Sequence, residues 1–346
     1  GRARGPQAPA TDPGRTTALR VVSEDDKGIT VWGTKILATA AVLAHELIIG
    51  NLLPMAPGEE SFAVSFAVPV NAPGVKLLSR PAYEHNADSI DYPMSSRYDE
   101  SDVVVYCDNV FIPWERVFSH GHLDTALALF NDTPAHVLGN AQAQSRLISK
   151  MRLILGVIVK VSELTGTAKI PAVREMLASR ATEVAVVEAL VAATDMAPHQ
   201  WPNGYVSPNM QTLYATTAWT AENVPVFLHG VRELLGSQPF QTAAASSVFS
   251  DPETRDVLLG AFGSQSEDDA RHRYRLMKLA WDLVGTEFAS RHLQYEMFYA
   301  GPKHVTRARM AHNFRWDVVA EHADRCLAEL ASDEAQRIPA AAASGV

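Results

Sequence analysis

Over the first third of the chain, apolar and polar residues alternate in short runs. Ala18-Leu19-Arg20-Val21-Val22 and Gly28-Ile29-Thr30-Val31-Trp32, separated by the turn-like Glu24-Asp25-Asp26-Lys27, predict two strands. Residues 62–68 and 102–106 continue the pattern, and Pro/Gly clusters at 54–58 and 71–74 punctuate it. Strands of this length and spacing over 17–120 predict a small antiparallel barrel or sandwich. From about residue 121 the period lengthens. Leu147, Met151, Ile154, Leu155, Ile158 and Val161 recur at helical spacing, and Ala-rich helical segments follow at 172–197, 208–236, 268–299 and 304–330. Gly166, Pro171 and the 198–208 tract are the expected stops. The expected class is therefore α+β: a β domain, then an antiparallel helical bundle over 121–330, with a loop at 1–16 and a flexible tail at 331–346. The Ser/Thr/Ala/Gln-rich stretch 236–252 is expected as a loop too long to be idle. Gly285 falls inside the 268–299 segment, where glycine costs roughly 1 kcal/mol relative to alanine, so it is expected to serve close packing or a ligand.

Composition narrows the function classes. A net charge of −9 argues against nucleic-acid binding, which requires a basic face. Two cysteines, Cys107 and Cys326, give neither a disulfide framework nor metal-ligand spacing and fit a cytoplasmic location. No run of 18 apolar residues predicts a membrane span, and residues 1–15 lack the apolar core of a signal peptide. Neither a dinucleotide fingerprint nor a P-loop is present, so a nucleotide cofactor would need a groove between domains. His45, His85, His120, His122 and His136 are scattered without ligand spacing, and no metal is expected. Arg271, Arg273, Arg275 and Lys278 read as a solvated or intersubunit face.

Five blocks stand in a recognisable order. They are residues 28–41 (GITVWGTKILATAA), 66–76 (FAVPVNAPGVK), 92–100 (YPMSSRYDE), 108–117 (DNVFIPWERV) and 281–301 (WDLVGTEFASRHLQYEMFYAG). Together they resemble the large, FADH2-using component of the 4-hydroxyphenylacetate 3-monooxygenase family. The resemblance implies an acyl-CoA-dehydrogenase-like fold, and activity as a two-component flavin-dependent phenol monooxygenase. Reduced FAD from a separate flavin reductase would react with O2 to a C4a-hydroperoxide, and the ring carbon ortho to a phenol would attack its distal oxygen. Family members carry a helical domain before this point, so the chain is expected to be a fragment. The groups that bind and activate the phenol are expected in that domain, and no acid or base is assigned here.

Thr39 is the sharpest site candidate. It follows a strand in a turn of small residues, and its hydroxyl can both donate and accept. The resemblance puts it beside the flavin N5 and the peroxide oxygen; the alternative is a strand-end threonine capping its own turn. Leu37 is expected to pack. Asn51, Leu52 and Leu53 correspond to the loop over the substrate, where the leucines imply a less polar substrate end; buried leucines at a strand end are the alternative. Phe298-Tyr299-Ala300-Gly301 is a helix stop before Pro302 that, by resemblance, borders the flavin with free backbone amides. Arg2 aligns with an arginine approaching the flavin phosphates, or is simply a residue of a terminal tract. Trp114, Glu115 and Arg116 are expected as a hinge between β domain and bundle.

The implied substrate is a 4-hydroxyphenylacetate- or tyrosine-like phenol, free or tethered to a carrier protein, as in natural-product pathways. Ala-rich stripes at 181–193 and 268–289, together with the family's assembly, imply a homotetramer. Two alternatives remain. One is a flavin-dependent acyl-thioester dehydrogenase or dehydratase, for which Glu287 and Glu296 are the nearest carboxylates; the other is a non-catalytic oligomeric scaffold.

Overall fold

A computed structural model describes residues 17–52, 54–83 and 88–337. The β domain holds seven strands: β1 (Arg20–Glu24), β2 (Gly28–Thr39), β3 (Glu46–Ile49), β4 (Val64–Pro69), β5 (Val75–Ser79), β6 (Asp102–Pro113) and β7 (Val117–His120). They form two antiparallel sheets, ordered β1-β2-β6-β5 and β3-β4-β7. Among the described residues neither sheet closes on itself, so the domain is a sandwich and not a barrel. One apolar core joins the sheets, with Ile29 and Val31 of β2, Val105 and Cys107 of β6, and Val64 and Phe66 of β4 in it.

Alternation placed the starts of β2 and β6 but not their length. Both run to twelve residues. Gly33, at φ 119, lets the chain before β1 approach closely, because a Cβ there would lie 2.6 Å from the Ala18 carbonyl oxygen. The register then shifts between Lys35 and Ala38. That bulge breaks the alternation, so strand periodicity does not mark 33–39, and the strand continues to the Thr39↔Asp102 pair.

The helices are α1 (Ser95–Tyr98), α2 (Ala128–Asn131), α3 (Ala135–Leu164), α4 (Pro171–Thr194), α5 (Met210–Leu235), α6 (Pro252–Phe262), α7 (Glu267–Val284), α8 (Glu287–Phe298), α9 (Lys303–Asn313) and α10 (Trp316–Arg337). Leu147, Met151, Ile154, Ile158 and Val161 of α3 pack with Val187 of α4, Phe227 and Val231 of α5, and Met277 and Ala280 of α7. Side-chain caps start α5, α6, α7 and α8, at Asn209, Asp251, Ser266 and Thr286.

The 268–299 segment is two helices. The Trp281 ring occupies the space where a Gly285 Cβ would stand, with ring carbon Cε3 2.3 Å from that point. Gly285 caps α7, making room for the Trp281 ring of that helix's last turn, and bears no mid-helix cost. The 236–252 stretch holds two short 3-10 turns and leads into α6, which the sequence pattern did not reveal. It is tied down by Ser246 N–H to Asp91 Oδ1 (2.9 Å) and Lys278 Nζ to the Ala244 carbonyl (2.8 Å). The α7 stripe is buried within the chain at Ala270, Met277, Ala280 and Val284, whereas α4 leaves Ala178, Ala181, Ala185, Ala189 and Ala192 exposed. The final helix continues to Arg337, past the expected end at 330.

Candidate active site

The far ends of β2 and β6 meet the bundle at an ionic junction. Asp102 opens β6 directly opposite Thr39. Arg291, on α8, reaches over it: Nε donates to Asp102 Oδ2 (3.1 Å), NH2 to Oδ1 (2.8 Å) and NH1 to Glu100 Oε2 (2.6 Å). Arg80 bonds Asp102 Oδ2 from Nε (3.2 Å) and Asp99 Oδ1 from NH2 (2.6 Å). Arg146 of α3 holds the other Glu100 oxygen at 2.9 Å. Behind it, Lys150 donates to Glu296 and lies 3.0 Å from His292 Nδ1. The Arg291 and Asp102 side chains are only 10% and 14% exposed, so these are pairs whose partners cannot be replaced by water without cost.

The charges set the protonation states. Burial raises the Asp102 carboxyl, but hydrogen bonds from Arg291 and Thr39 and the Arg291 charge outweigh it and bring the value down to about 2. Burial lowers Arg291, yet its bonds to Asp102 and Glu100 leave it above the usual guanidinium value. Burial, then the neighbouring Lys150, Arg291 and Arg146 charges, push His292 down to about 3. It is neutral at pH 7 and accepts from Lys150.

Thr39 projects from this junction. Its Oγ1 donates to Asp102 Oδ1 (2.9 Å) and accepts weakly from Arg291 NH2 (3.4 Å), and the residue remains exposed. The next residue, Ala40, turns the chain at φ 60, a left-handed conformation that is strained for alanine; its N–H bonds the Ser101 carbonyl at 2.8 Å. Leu37, expected to pack, is 69% exposed, because the bulge turns it out of the sheet alternation.

Tyr299 belongs to the same neighbourhood. Tyr295 stacks on Tyr299 with ring centroids 4.7 Å apart and lies under the guanidinium groups of Arg146 and Arg291. The helix stop differs from the expectation of free amides. Tyr299 N–H bonds the Tyr295 carbonyl and Gly301 N–H the Phe298 carbonyl, both at 2.9 Å, while the Ala300 carbonyl accepts from Arg309 at 2.5 Å. What the stop presents is the half-exposed faces of Phe298 and Tyr299.

The third predicted element, the loop after β3, reaches the site less directly. Asn51 is buried; its amide donates to the Phe62 and Val64 carbonyls (3.2 and 3.3 Å) and accepts from Lys35 Nζ (3.1 Å). These bonds fix the loop and leave its amide group engaged within the β domain. Leu52 is 67% exposed rather than buried. Leu53 and Arg2 lie outside the described residues. Gly50 approaches Leu129 of α2, and the adjacent Phe130 packs edge-on against His136, which is 2.9 Å from the Tyr214 hydroxyl. Burial, then the Arg309 charge, lower His136 to about 4.

Asp102, Arg291, Arg80, Glu100 and Arg146 escaped the sequence reading. For four of them the only signal was a place in or near the quoted blocks, where Arg291 and Glu100 were present but unassigned; Arg146 lay beside the apolar stripe of α3. Glu296, a candidate dehydrogenase carboxylate, is 4% exposed and held by Lys150, which removes it as a free base. Glu287 lines a separate cleft of about 560 Å³ with Tyr92, Ser95, Lys278 and Trp281.

A hydroxyl held out from a buried ionic junction, beside exposed apolar and aromatic faces, offers the contacts that a flat ring with polar edges would need. Two family profiles match it: the 4-hydroxyphenylacetate 3-hydroxylase N terminal over residues 2–119 and the 4-hydroxyphenylacetate 3-hydroxylase C terminal over 126–328. The chain belongs to this family. The oxygenase component of 4-nitrophenol 2-monooxygenase from Rhodococcus sp is 31% identical, over 84% of this chain and 56% of its own length. The (3S)-3-amino-3-(3-chloro-4-hydroxyphenyl)propanoyl-[peptidyl-carrier protein SgcC2] monooxygenase of Streptomyces globisporus is 31% identical over the same shares. A crystal structure of the oxygenase component of 4-hydroxyphenylacetate 3-monooxygenase complexed with FAD superposes with a TM-score of 0.85 at 25% identity, covering 94% of this chain and 68% of the other. The fold is acyl-CoA-dehydrogenase-like. The chain spans 56% of the length of the two curated relatives named here.

Proposed function

We propose that this chain is the flavin- and substrate-facing part of an oxygenase component that hydroxylates a phenol ortho to its hydroxyl, using O2 and reduced FAD supplied by a separate reductase. The observation that carries the reading is the exposed Thr39 hydroxyl, clamped by Asp102 and Arg291 beside exposed Leu37, in a chain whose relatives are named as phenol-directed monooxygenases. These residues fit a flavin. Leu37 and Tyr299 offer apolar area to a ring, and Thr39 offers a polar contact to its edge. When bound, FAD would supply oxygen activation by the flavin route that the resemblance implies. The protein's share is to orient the ring and keep water from it.

Leu52 is the described residue of the proposed substrate loop, and its apolar side chain favours a phenol whose far end is not a bare carboxylate. The Streptomyces globisporus relative supports a carrier-tethered substrate as one form. Arg2, Leu53 and the Phe298–Gly301 stop stay in the proposed flavin and substrate set by resemblance. His136 and His292, lowered to about 4 and about 3, are poor bases for a phenol at neutral pH. No described helix is long and apolar enough to cross a membrane, and both cysteines are free, in keeping with a cytoplasmic enzyme. The exposed alanines of α4 support a homotetramer; Ala185→Arg should lower the mass seen by light scattering, and an unchanged mass would remove α4 from the interface.

The test is turnover of a phenol panel, free and carrier-bound, with FAD and any flavin reductase, alongside a spectral titration with FAD and FMN. Ortho-hydroxylated product and tighter binding of FAD than FMN are expected. FAD binding without product from any phenol would retain the cofactor and reject the reaction. Absence of any flavin spectrum would leave the non-catalytic scaffold as the better reading.

A further inference from the structure

A threonine hydroxyl has one hydrogen to give and two lone pairs to receive. At Thr39 the hydrogen is committed, because Oγ1 lies 2.9 Å from Asp102 Oδ1 and an ionised carboxylate only accepts. Arg291, which only donates, approaches the same hydroxyl oxygen at 3.4 Å. The carboxylate itself cannot turn away. Arg291 holds both of its oxygens, at 3.1 and 2.8 Å, and Arg80 holds Oδ2 at 3.2 Å. What an exposed Thr39 has left for a ligand is therefore a lone pair and not a hydrogen.

We infer that Asp102 is a positioning residue, which together with Arg291 fixes the Thr39 hydroxyl as a hydrogen-bond acceptor toward the bound ring. The inference rests on the proposed reading of Thr39 as a flavin contact. A reduced flavin carries a hydrogen on N5, where the oxidised ring has a lone pair. An acceptor at Thr39 matches the first and repels the second, so the junction sets the redox preference of the site. A threonine without this carboxylate would rotate its hydroxyl to suit either form. Asparagine at position 102 tests the logic without changing shape. With its carbonyl oxygen taking the bonds from Arg80 and Arg291 Nε, its amide loses the bond from Arg291 NH2 and donates to Thr39, and the threonine hydrogen is released toward the ligand.

The experiment measures the affinity of the purified 346-residue chain for oxidised FAD and, anaerobically, for reduced FAD, and compares the ratio of the two constants among variants. A ratio cancels a general loss of affinity caused by loosened packing, which a merely structural role would produce. Thr39→Val should cut the preference for reduced FAD about fivefold, the worth of one hydrogen bond, and Asp102→Asn on the order of tenfold or more, because it exchanges a match for a mismatch. Thr39→Ser should keep the wild-type ratio. Variants that bind FAD with an unchanged ratio would overturn the inference while leaving the proposed function standing. Failure of the wild-type chain to bind FAD in either state would overturn both. Should Asp102→Asn not fold, the Thr39→Val and Thr39→Ser pair decides alone.

Discussion

The two ends of one strand pair are built from opposite materials. Where β2 begins and β6 ends, Ile29 pairs with Ile112 and Val31 with Val110, all within the sealed apolar core. Where β2 ends and β6 begins, Thr39 pairs with Asp102 among arginines and carboxylates. Apolar packing is non-directional: it stabilises the sandwich but cannot dictate which way a hydroxyl points. Ion pairs with fixed hydrogen-bond geometry contribute less net stability once desolvation is counted, yet they set orientation. The same ladder thus divides its labour along its length, one end for holding the domain together and the other for aiming a functional group.

The contrast can be broken most forcefully at the apolar end. Phe66→Ala empties a fully buried position between the sheets and should cost about 4 kcal/mol in denaturant unfolding. A loss below about 1 kcal/mol would mean that the core is not shared by both sheets. At the ionic end, Arg291→Met removes one of two arginines from each of Asp102 and Glu100, leaving Arg80 and Arg146, and should cost about 3 kcal/mol. It should also weaken FAD binding, which Phe66→Ala should not do in the fraction that stays folded. Equal effects of the two changes on flavin affinity would erase the distinction drawn here.

Acid offers a gentler probe. The Asp102 carboxyl lies at about 2 in the folded chain against an ordinary 3.8. A depressed carboxyl adds stability that is complete above the unfolded value and disappears as pH falls through the folded one, so its contribution of about 1–2 kcal/mol should fade between about pH 4 and pH 2. Asp102→Asn should flatten that part of the stability curve, and a wild-type slope persisting in the variant would assign it to other groups. The smallest effect belongs to Leu52→Ser. Stability should change by less than about 0.5 kcal/mol, since the side chain is exposed, while the ranking of phenols by kcat/KM should shift toward those with a polar far end. An unaltered ranking would withdraw Leu52 from the substrate loop.

Periodicity made the sandwich, the bundle and most of its helices legible, because burial of one face repeats locally along the chain. It lost the second halves of β2 and β6, where two register shifts, between Lys35 and Ala38 and between Val31 and Gly33 opposite Cys107 and Val110, cancel alternation, and it ran α7 into α8 because the apolar period continues across the Gly285 cap. Thr39 was visible as a small-residue turn after a strand. Its partners were not, since they lie 63 and 252 positions away and no local rule links residues so distant. The amides of Tyr299 and Gly301 were misjudged for a related reason: whether a helix end is open depends on the turn it makes next, and here both bond back to carbonyls of α8.

Cys107 supplies a clock. Its sulfur is sealed inside the sandwich, and burial pushes the thiol up to about 11. The thiolate is the nucleophile that attacks an alkylating reagent and displaces its leaving group, so labelling at this position must wait for the two sheets to part. Cys326, exposed on α10, should react at once and mark zero time in the same sample. The delay between the two modifications then measures how often the sandwich opens under native conditions, with no probe introduced and no residue changed.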